Sequence, residues 1–178
     1  MQGLVQVFWG DGKGKTTAAL GAALRACGHN YKVHLVQFMK NGSQNPEFVS
    51  TGEIKALEKF DNFSFKRFGA GSWLTQNSGQ KEHLEEATEA YNYLKSCFSK
   101  DYDLIIADEI LYAVQLNLIP EEKVMELIKS KPENKELILT GSHKPFPNIF
   151  ELADLVTEIK KHKHPYDKGI KARKGFDY

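Results

Sequence analysis

Charge of one sign, cysteine and long apolar runs are all scarce in this sequence. Lys and Arg number 24 against 23 Asp and Glu, a formal net charge of +1 over 178 residues. That balance excludes bulk attraction to a polyanion, though not a local basic patch. Basic residues and aromatics form no common stripe, so nucleic acid is not expected as a partner. No apolar run approaches the roughly 20 residues of a membrane-spanning helix, so no membrane association is expected either. The N-terminus enters "LVQVFWG" directly, without a basic leader, small-residue cleavage site or lipidation signal. The two cysteines, Cys27 and Cys97, lie far apart among apolar helical residues and lack metal-ligand spacing. They read as buried free thiols in a reducing compartment, and a cytoplasmic location is the expectation. Nothing repeats and no linker divides the chain. One domain over 1–178 is expected, ending in a basic, irregular tail from about 160 to 178.

What is present is an alternation of short β-rich runs and helical patterns. "LVQVFW" (4–9), "KVHLVQF" (32–38), "FSFKRF" (63–68), "YDLIIADE" (102–109), "KELILTGS" (135–142) and "DLVTEI" (154–159) read as strands, the third a candidate for an edge. "KTTAALGAALRACG" (15–28) reads as a helix stopped by Gly28. Further helices are expected up to about Lys59, over about 79–98, at 110–117 and 121–130, and at "PNIFELA" (147–153). On the longest of these, Leu84, Ala87, Tyr91, Leu94 and Phe98 define the apolar face by three- and four-residue spacing. Strands alternating with helices predict an α/β fold of the P-loop NTPase-like (RecA-like) kind. Its mostly parallel sheet would carry helices on both faces and bind ligand beyond the carboxyl ends of its strands.

The chemistry concentrates at two of those ends. "GDGKGKTT" follows the first strand and opens a helix. It is one residue shorter than G-x-x-x-x-G-K-[ST], with Trp9 at the first glycine position. Gly10, Gly12 and Gly14 would let backbone N–H groups converge on an anion, together with Asp11 and Lys13 of the same loop. The helix N-terminus adds its positive dipole end. Lys15 would reach the outer phosphates, the Thr16 hydroxyl would ligate Mg²⁺ (or Mn²⁺), and Thr17 would donate to an inner phosphate. The structural alternative is a glycine-rich turn before a helix. "LIIADE" supplies the acidic partners Asp108 and Glu109 at the end of another apolar strand. The competing role for one of these acids is to cap the next helix. Together the motifs point to Mg-nucleotide binding without saying which bond breaks.

The loop and the segment after it, "GDGKGKTTAALGAALRACGHNYKVHLVQFMK", resemble the ATP:corrinoid adenosyltransferases of the CobO/BtuR type. Those proteins have G-N-G-K-G-K-T-T, "GHG" and V-V-Q-F-x-K in the same order. Five more stretches follow suit. "GAGSWLTQ" is similar to G-x-G-F-T-W-x-T-Q, "LIIADEI" to V-x-L-D-E, and "LILTG" to V-I-x-T-G-R. "ELADLVTEI" is similar to x-x-A-D-L-V-T-E-M, and "KHPYDKGIKARKGFDY" to K-H-x-[FY]-x-x-G-x-x-A-Q-x-G-I-E-Y/F.

The resemblance implies transfer of the 5′-deoxyadenosyl group of ATP to Co(I) of a reduced corrinoid, with triphosphate leaving, in vitamin B12 biosynthesis or salvage. Co(I) is itself the nucleophile, so no serine, cysteine or general base is required, and none stands in a suitable constellation. The protein's tasks are to align the reactants and to stabilise charge on the leaving triphosphate. By resemblance Lys15, Thr16 and Glu109 are the catalytic residues. Thr16 and Glu109 contact the metal, with Asp108 in support. Trp73, Gln76, Lys163, His164 and Arg173 are the corrinoid-binding candidates. A reductase delivering electrons to cobalt and a homodimer are the implied partners.

Three departures from the family pattern carry consequences. "GAGSWLTQ" lacks the aromatic before the tryptophan, so the corrinoid contact at Trp73 is expected to be built differently. For Trp73 the plain alternative is a loop aromatic closing the core edge. The family arginine after T-G is Ser142, and the family glutamine near the end is Arg173. Lys144, His143 or Arg173 are the candidate replacements for the lost arginine. The tail from Lys160 holds seven Lys/Arg against two Asp. It reads either as a solvated face or as a lid over the triphosphate or corrinoid. Its His162 and His164, without a carboxylate partner, are a weak metal signal.

Two other classes compete. A P-loop ATPase or phosphotransferase would need a base or water-positioning residue and usually an arginine at the γ-phosphate. Arg25, Arg67 and Arg173, the chain's arginines, adjoin no recognisable switch. A nucleotide-gated corrinoid-binding paralogue with little activity is the third reading.

Overall fold

The computed structural model describes residues 2–40, 51–70 and 80–177. Six strands run parallel: β1 Val5–Trp9, β2 Val33–Gln37, β3 Phe63–Arg67, β4 Leu104–Asp108, β5 Glu136–Thr140 and β6 Leu155–Glu158. Their order across the sheet is β3-β2-β4-β5-β1-β6. The helices are α1 Lys15–Gly28, α2 Gly52–Leu57, α3 Gln80–Ser96, α4 Ile110–Gln115, α5 Glu121–Ser130 and α6 Pro147–Glu151. Among the described residues, no helix is long and apolar enough to cross a membrane.

The central strands are apolar because both of their faces are covered. β2 and β4 are buried at all five positions. Successive side chains go to opposite faces, and the two cores record it. Leu35, Ile106 and Ile138 pack with Ala19, Leu20, Ala23 and Cys27 of α1 and with Ile54 and Leu57 of α2. Val36, Ile105, Leu137 and Leu139 pack with α3, α4, α5 and α6 on the other side. Each fully buried leucine or isoleucine contributes about 1.5–3 kcal/mol relative to exposure. Alanine-rich α1 faces the sheet with mostly small residues, Ala19, Ala23 and Cys27 beside Leu20.

Cover fails at one edge. All four residues of β6 are exposed, Leu155 and Val156 included, so the expectation of helices on both faces does not hold there. β3 occupies the opposite edge, as its alternating pattern allowed.

The long helix also departs from its expected stripe. It ends at Ser96 and tightens into a 3₁₀ turn, Cys97–Ser99. Leu84 is exposed, while His83 is 6% exposed. The Gly69 N–H donates to Glu86 Oε2 at 3.0 Å. That bond ties the start of α3 to the residues after β3, and His83 shares the buried face of Ala87, Ala90, Tyr91 and Leu94. Both cysteines are free and buried.

Candidate functional site

The last rung of the sheet is a row of polar residues. In register across it lie Arg67, Gln37 and Asp108, with Thr140 at the same level on β5. Their side chains form one hydrogen-bonded chain. Arg67 Nε donates to Gln37 Oε1 at 2.9 Å, and Gln37 Nε2 donates to Asp108 Oδ2 at 3.0 Å. Asp108 Oδ1 accepts from Thr140 Oγ1 and from Thr16 Oγ1, both at 2.7 Å. Asp108 is fully buried, and three donors offset the cost of keeping a carboxylate there. The Asp108–Thr16 bond joins β4 to the first turn of α1.

Two of the three loop glycines allow close packing against the chain that follows β5 and β6. The Gly10 N–H donates to Ser142 O at 3.1 Å and the Gly12 N–H to Ile159 O at 2.7 Å. A Cβ at Gly10 would meet Ile159 O at 2.3 Å, and one at Gly12 would meet it at 2.7 Å. These two N–H groups are thus engaged within the protein. Gly14 differs: its φ is +120° and a Cβ there would touch nothing. It is the N-cap of α1, with no side-chain cap bond. The first-turn N–H groups that a helix cannot pair internally begin here, at Lys15, Thr16 and Thr17. Lys15 Nζ donates to Gly10 O at 2.6 Å and Gly12 O at 2.9 Å, across the mouth of the loop. Burial, above all, draws its ammonium below the ordinary lysine value, against the pull of Glu109.

Glu109 follows β4 in a left-handed conformation, φ 65°. It stands at the N-cap of α4 but its side chain makes no cap bond, and the Asp108 carboxylate is taken by the rung. Neither acid caps the helix through its side chain. Glu109 Oε1 instead meets Lys40 Nζ at 3.2 Å, and its N–H donates to Thr140 Oγ1 at 2.9 Å. Burial opposes charge on Lys40, but the Glu109 and Asp108 carboxylates outweigh it and hold the ammonium above its usual value. Met39 at φ 55° and Ser142 at φ 67° are two more left-handed residues at strand ends. Such strain collects where loops are held for a purpose.

The tail does not hang free. It makes a 3₁₀ turn, Pro165–Lys168, and returns to the phosphate loop. The Lys161 N–H donates to Asp11 Oδ1 at 3.0 Å. Lys13 pairs with Asp177 and also reaches Phe176 O at 3.4 Å. Arg173 donates to Asp177 Oδ2 from its N–H at 2.9 Å and its Nε at 3.1 Å. The Lys13 ammonium, followed by these two Arg173 donors, holds the Asp177 carboxyl well below the usual carboxylate range. Arg173 is thus engaged within the tail. His143 lies against the Tyr112 ring and Lys144 over Phe146. The buried Ser142 bonds Gln115 Oε1 at 3.2 Å. His143 comes near enough to the phosphate loop for its charge to bear on Asp11.

His164 is half-buried, and its Nδ1 accepts from the Tyr166 N–H at 3.2 Å; Lys163 is exposed. Trp73 and Gln76 lie outside the described residues. Among the described residues, no group of three His, Cys, Asp or Glu could hold a metal unaided. The Thr16 hydroxyl and the Glu109 carboxylate suit Mg²⁺, which takes oxygen ligands and draws the rest from phosphates and water. Gln37, Arg67, Thr140 and Lys40 were not singled out as site residues from the sequence. Their signal is modest: each of the first three ends a strand with a polar residue.

The family model described as ATP:corrinoid adenosyltransferase BtuR/CobO/CobP matches residues 1–178. The corrinoid adenosyltransferase of Escherichia coli (strain K12) is 36% identical over 181 residues, covering 99% of this chain and 86% of that protein. That of Salmonella typhimurium is 35% identical with the same coverage. That of Pseudomonas aeruginosa is 32% identical over 180 residues, 99% of this chain and 84% of that protein.

Proposed function

The chain belongs to the ATP:corrinoid adenosyltransferase family, and from that premise we propose how its residues carry the reaction. The enzyme transfers the adenosyl group of ATP to the cobalt of a corrinoid. A cobalt–carbon bond forms at the ribose 5′ carbon, the carbon–oxygen bond there breaks, and its electron pair leaves with triphosphate. The observation that carries the residue assignment is the Thr16–Asp108–Thr140 junction, which fixes the phosphate loop to β4 and β5 beside Glu109.

In this reading the first-turn N–H groups of α1 and Lys15 hold the triphosphate. Lys15 exchanges the carbonyls of Gly10 and Gly12 for phosphate oxygens. Thr16 and Glu109 hold Mg²⁺ or Mn²⁺, while Asp108 orients the Thr16 hydroxyl rather than binding metal. The ion, when bound, offsets the triphosphate charge. Preorganised donors lower the barrier because they already point at the charge that develops. Trp73 and Gln76, with Lys163 and His164 of the tail, are proposed on the corrinoid side. Arg173 is proposed to hold the tail through Asp177.

A reductase that brings cobalt to Co(I), a homodimer supported by the exposed edge at β6, and a cytoplasmic location complete the reading. An anaerobic reaction with Mg-ATP and Co(I) corrinoid tests it. A light-sensitive adenosylated corrinoid with stoichiometric triphosphate is expected, and Lys15→Ala should abolish both. ADP and phosphate as products would assign the loop to phosphoryl transfer instead.

A further inference from the structure

Lys40 stands one residue after a left-handed turn at Met39. Its N–H is held by Phe68 O at 2.9 Å. Its ammonium meets Glu109, which is left-handed in turn, at 3.2 Å. Two strained strand ends thus bring one cation and one anion together at the mouth of the site. The pair does little for stability: 42% of the Lys40 side chain is exposed, and exposed pairs contribute at most about 1 kcal/mol. Lys40 is also close enough to Lys15 for the two ammoniums to repel each other. The charges gathered here balance: Lys15, Lys40 and Arg67 against Asp11, Asp108 and Glu109. When a metal ion occupies Glu109, that balance breaks and Lys40 loses its partner beside the phosphate chain.

We propose that Lys40 is a second triphosphate-binding cation, parked on Glu109 until the metal and nucleotide arrive. The inference rests on the adenosyl-transfer reading above. With Glu109 on the metal, the ammonium passes from carboxylate to phosphate oxygen. As the ribose carbon–oxygen bond breaks, the triphosphate gains one negative charge, and Lys40 contacts the group that gains it. This supplies a cation that Ser142 does not, from β2 rather than from the loop after β5.

Calorimetric titration of the full chain with inorganic triphosphate, with and without Mg²⁺, tests the assignment. With Mg²⁺, Lys40→Ala is expected to weaken binding about tenfold, and Lys40→Arg to stay within about threefold of wild type. Without Mg²⁺ the Lys40→Ala deficit should shrink, because Glu109 then retains the ammonium. A structural pair would show the same deficit in both conditions, and that result overturns the proposal. Wild-type affinity in Lys40→Ala with Mg²⁺ also overturns it. If Lys15→Ala is weakened in the same titration, the failure belongs to Lys40 alone. If Lys15→Ala also binds like wild type, the reading of the phosphate loop falls with it.

Discussion

Thr140→Val is the sharpest probe of the polar rung. The substitution keeps the shape of the side chain and removes one hydroxyl. That hydroxyl donates to Asp108 Oδ1 at 2.7 Å and accepts from the Glu109 N–H at 2.9 Å. Asp108 has no exposed surface, so water cannot replace the lost donor. A hydrogen bond to a buried charge is worth about 1.5–3 kcal/mol, and an orphaned N–H adds about 1 kcal/mol or more. The expected loss is about 3 kcal/mol in urea unfolding followed by circular dichroism. For a chain of this size that is about 6–12 °C in melting temperature. Thr140→Ser retains the hydroxyl and gives up one methyl, for about 1 kcal/mol. The difference between the two variants isolates the hydrogen bonds. Equal losses in Val and Ser, or a loss below about 0.5 kcal/mol in Val, would refute the claim that Thr140 organises Asp108.

Three further outcomes follow from other contacts. Gly12→Ala should weaken Mg-ATP binding about tenfold or more in titration, because its Cβ would meet Ile159 O at 2.7 Å and push the loop off the end of β6; unchanged affinity would mean the loop tolerates the shift. Asp177→Ala should leave the melting temperature within about 2 °C, since exposed ion pairs stabilise little, yet speed tryptic cleavage between Lys160 and Lys174; unaltered cleavage would show that the Lys13–Asp177–Arg173 contacts do not hold the tail. His34 is 2% exposed, and burial first, then Lys100, lowers its pKa from 6.5 to about 4. The unfolded chain therefore binds the extra proton between those values. Stability should be full above pH 6.5 and fall by about 3 kcal/mol as pH drops from 6.5 to 4. His34→Gln should flatten that part of the profile, and an equally steep fall in the variant would clear His34 of it.

Sequence carried the elements well where one physical cause dominates. Doubly covered strands such as "LIIAD" show as unbroken apolar runs, and α1 announces itself by alanines between a glycine-rich loop and Gly28. The α3 stripe differs at Leu84 because three- and four-residue spacing fits 83 and 84 alike, and the buried face of Ala87, Ala90, Tyr91 and Leu94 takes His83. The loop, Thr16, Asp108 and Glu109 were legible because their spacing is local. Gln37, Arg67 and Thr140 were not, because their partners lie 30 or more positions away and meet only through sheet register. The role of Gly12 was hidden likewise: its constraint is Ile159, on the far edge strand's extension. Arg173 was proposed for the lost arginine, yet its partner, Asp177, is four residues along in its own tail.

The most direct test of the central claim is to follow the oxygen that bridges the ribose 5′ carbon and the α-phosphorus. ATP carrying ¹⁸O at that position is allowed to react anaerobically with Co(I) corrinoid and the enzyme, and the products are weighed by mass spectrometry. Attack at carbon sends the label entirely into triphosphate and leaves none on the adenosyl group. Label retained on the nucleoside product, as in ADP, would mean that the ribose carbon–oxygen bond stays intact, and that Lys15, Thr16 and Glu109 serve phosphoryl rather than adenosyl transfer.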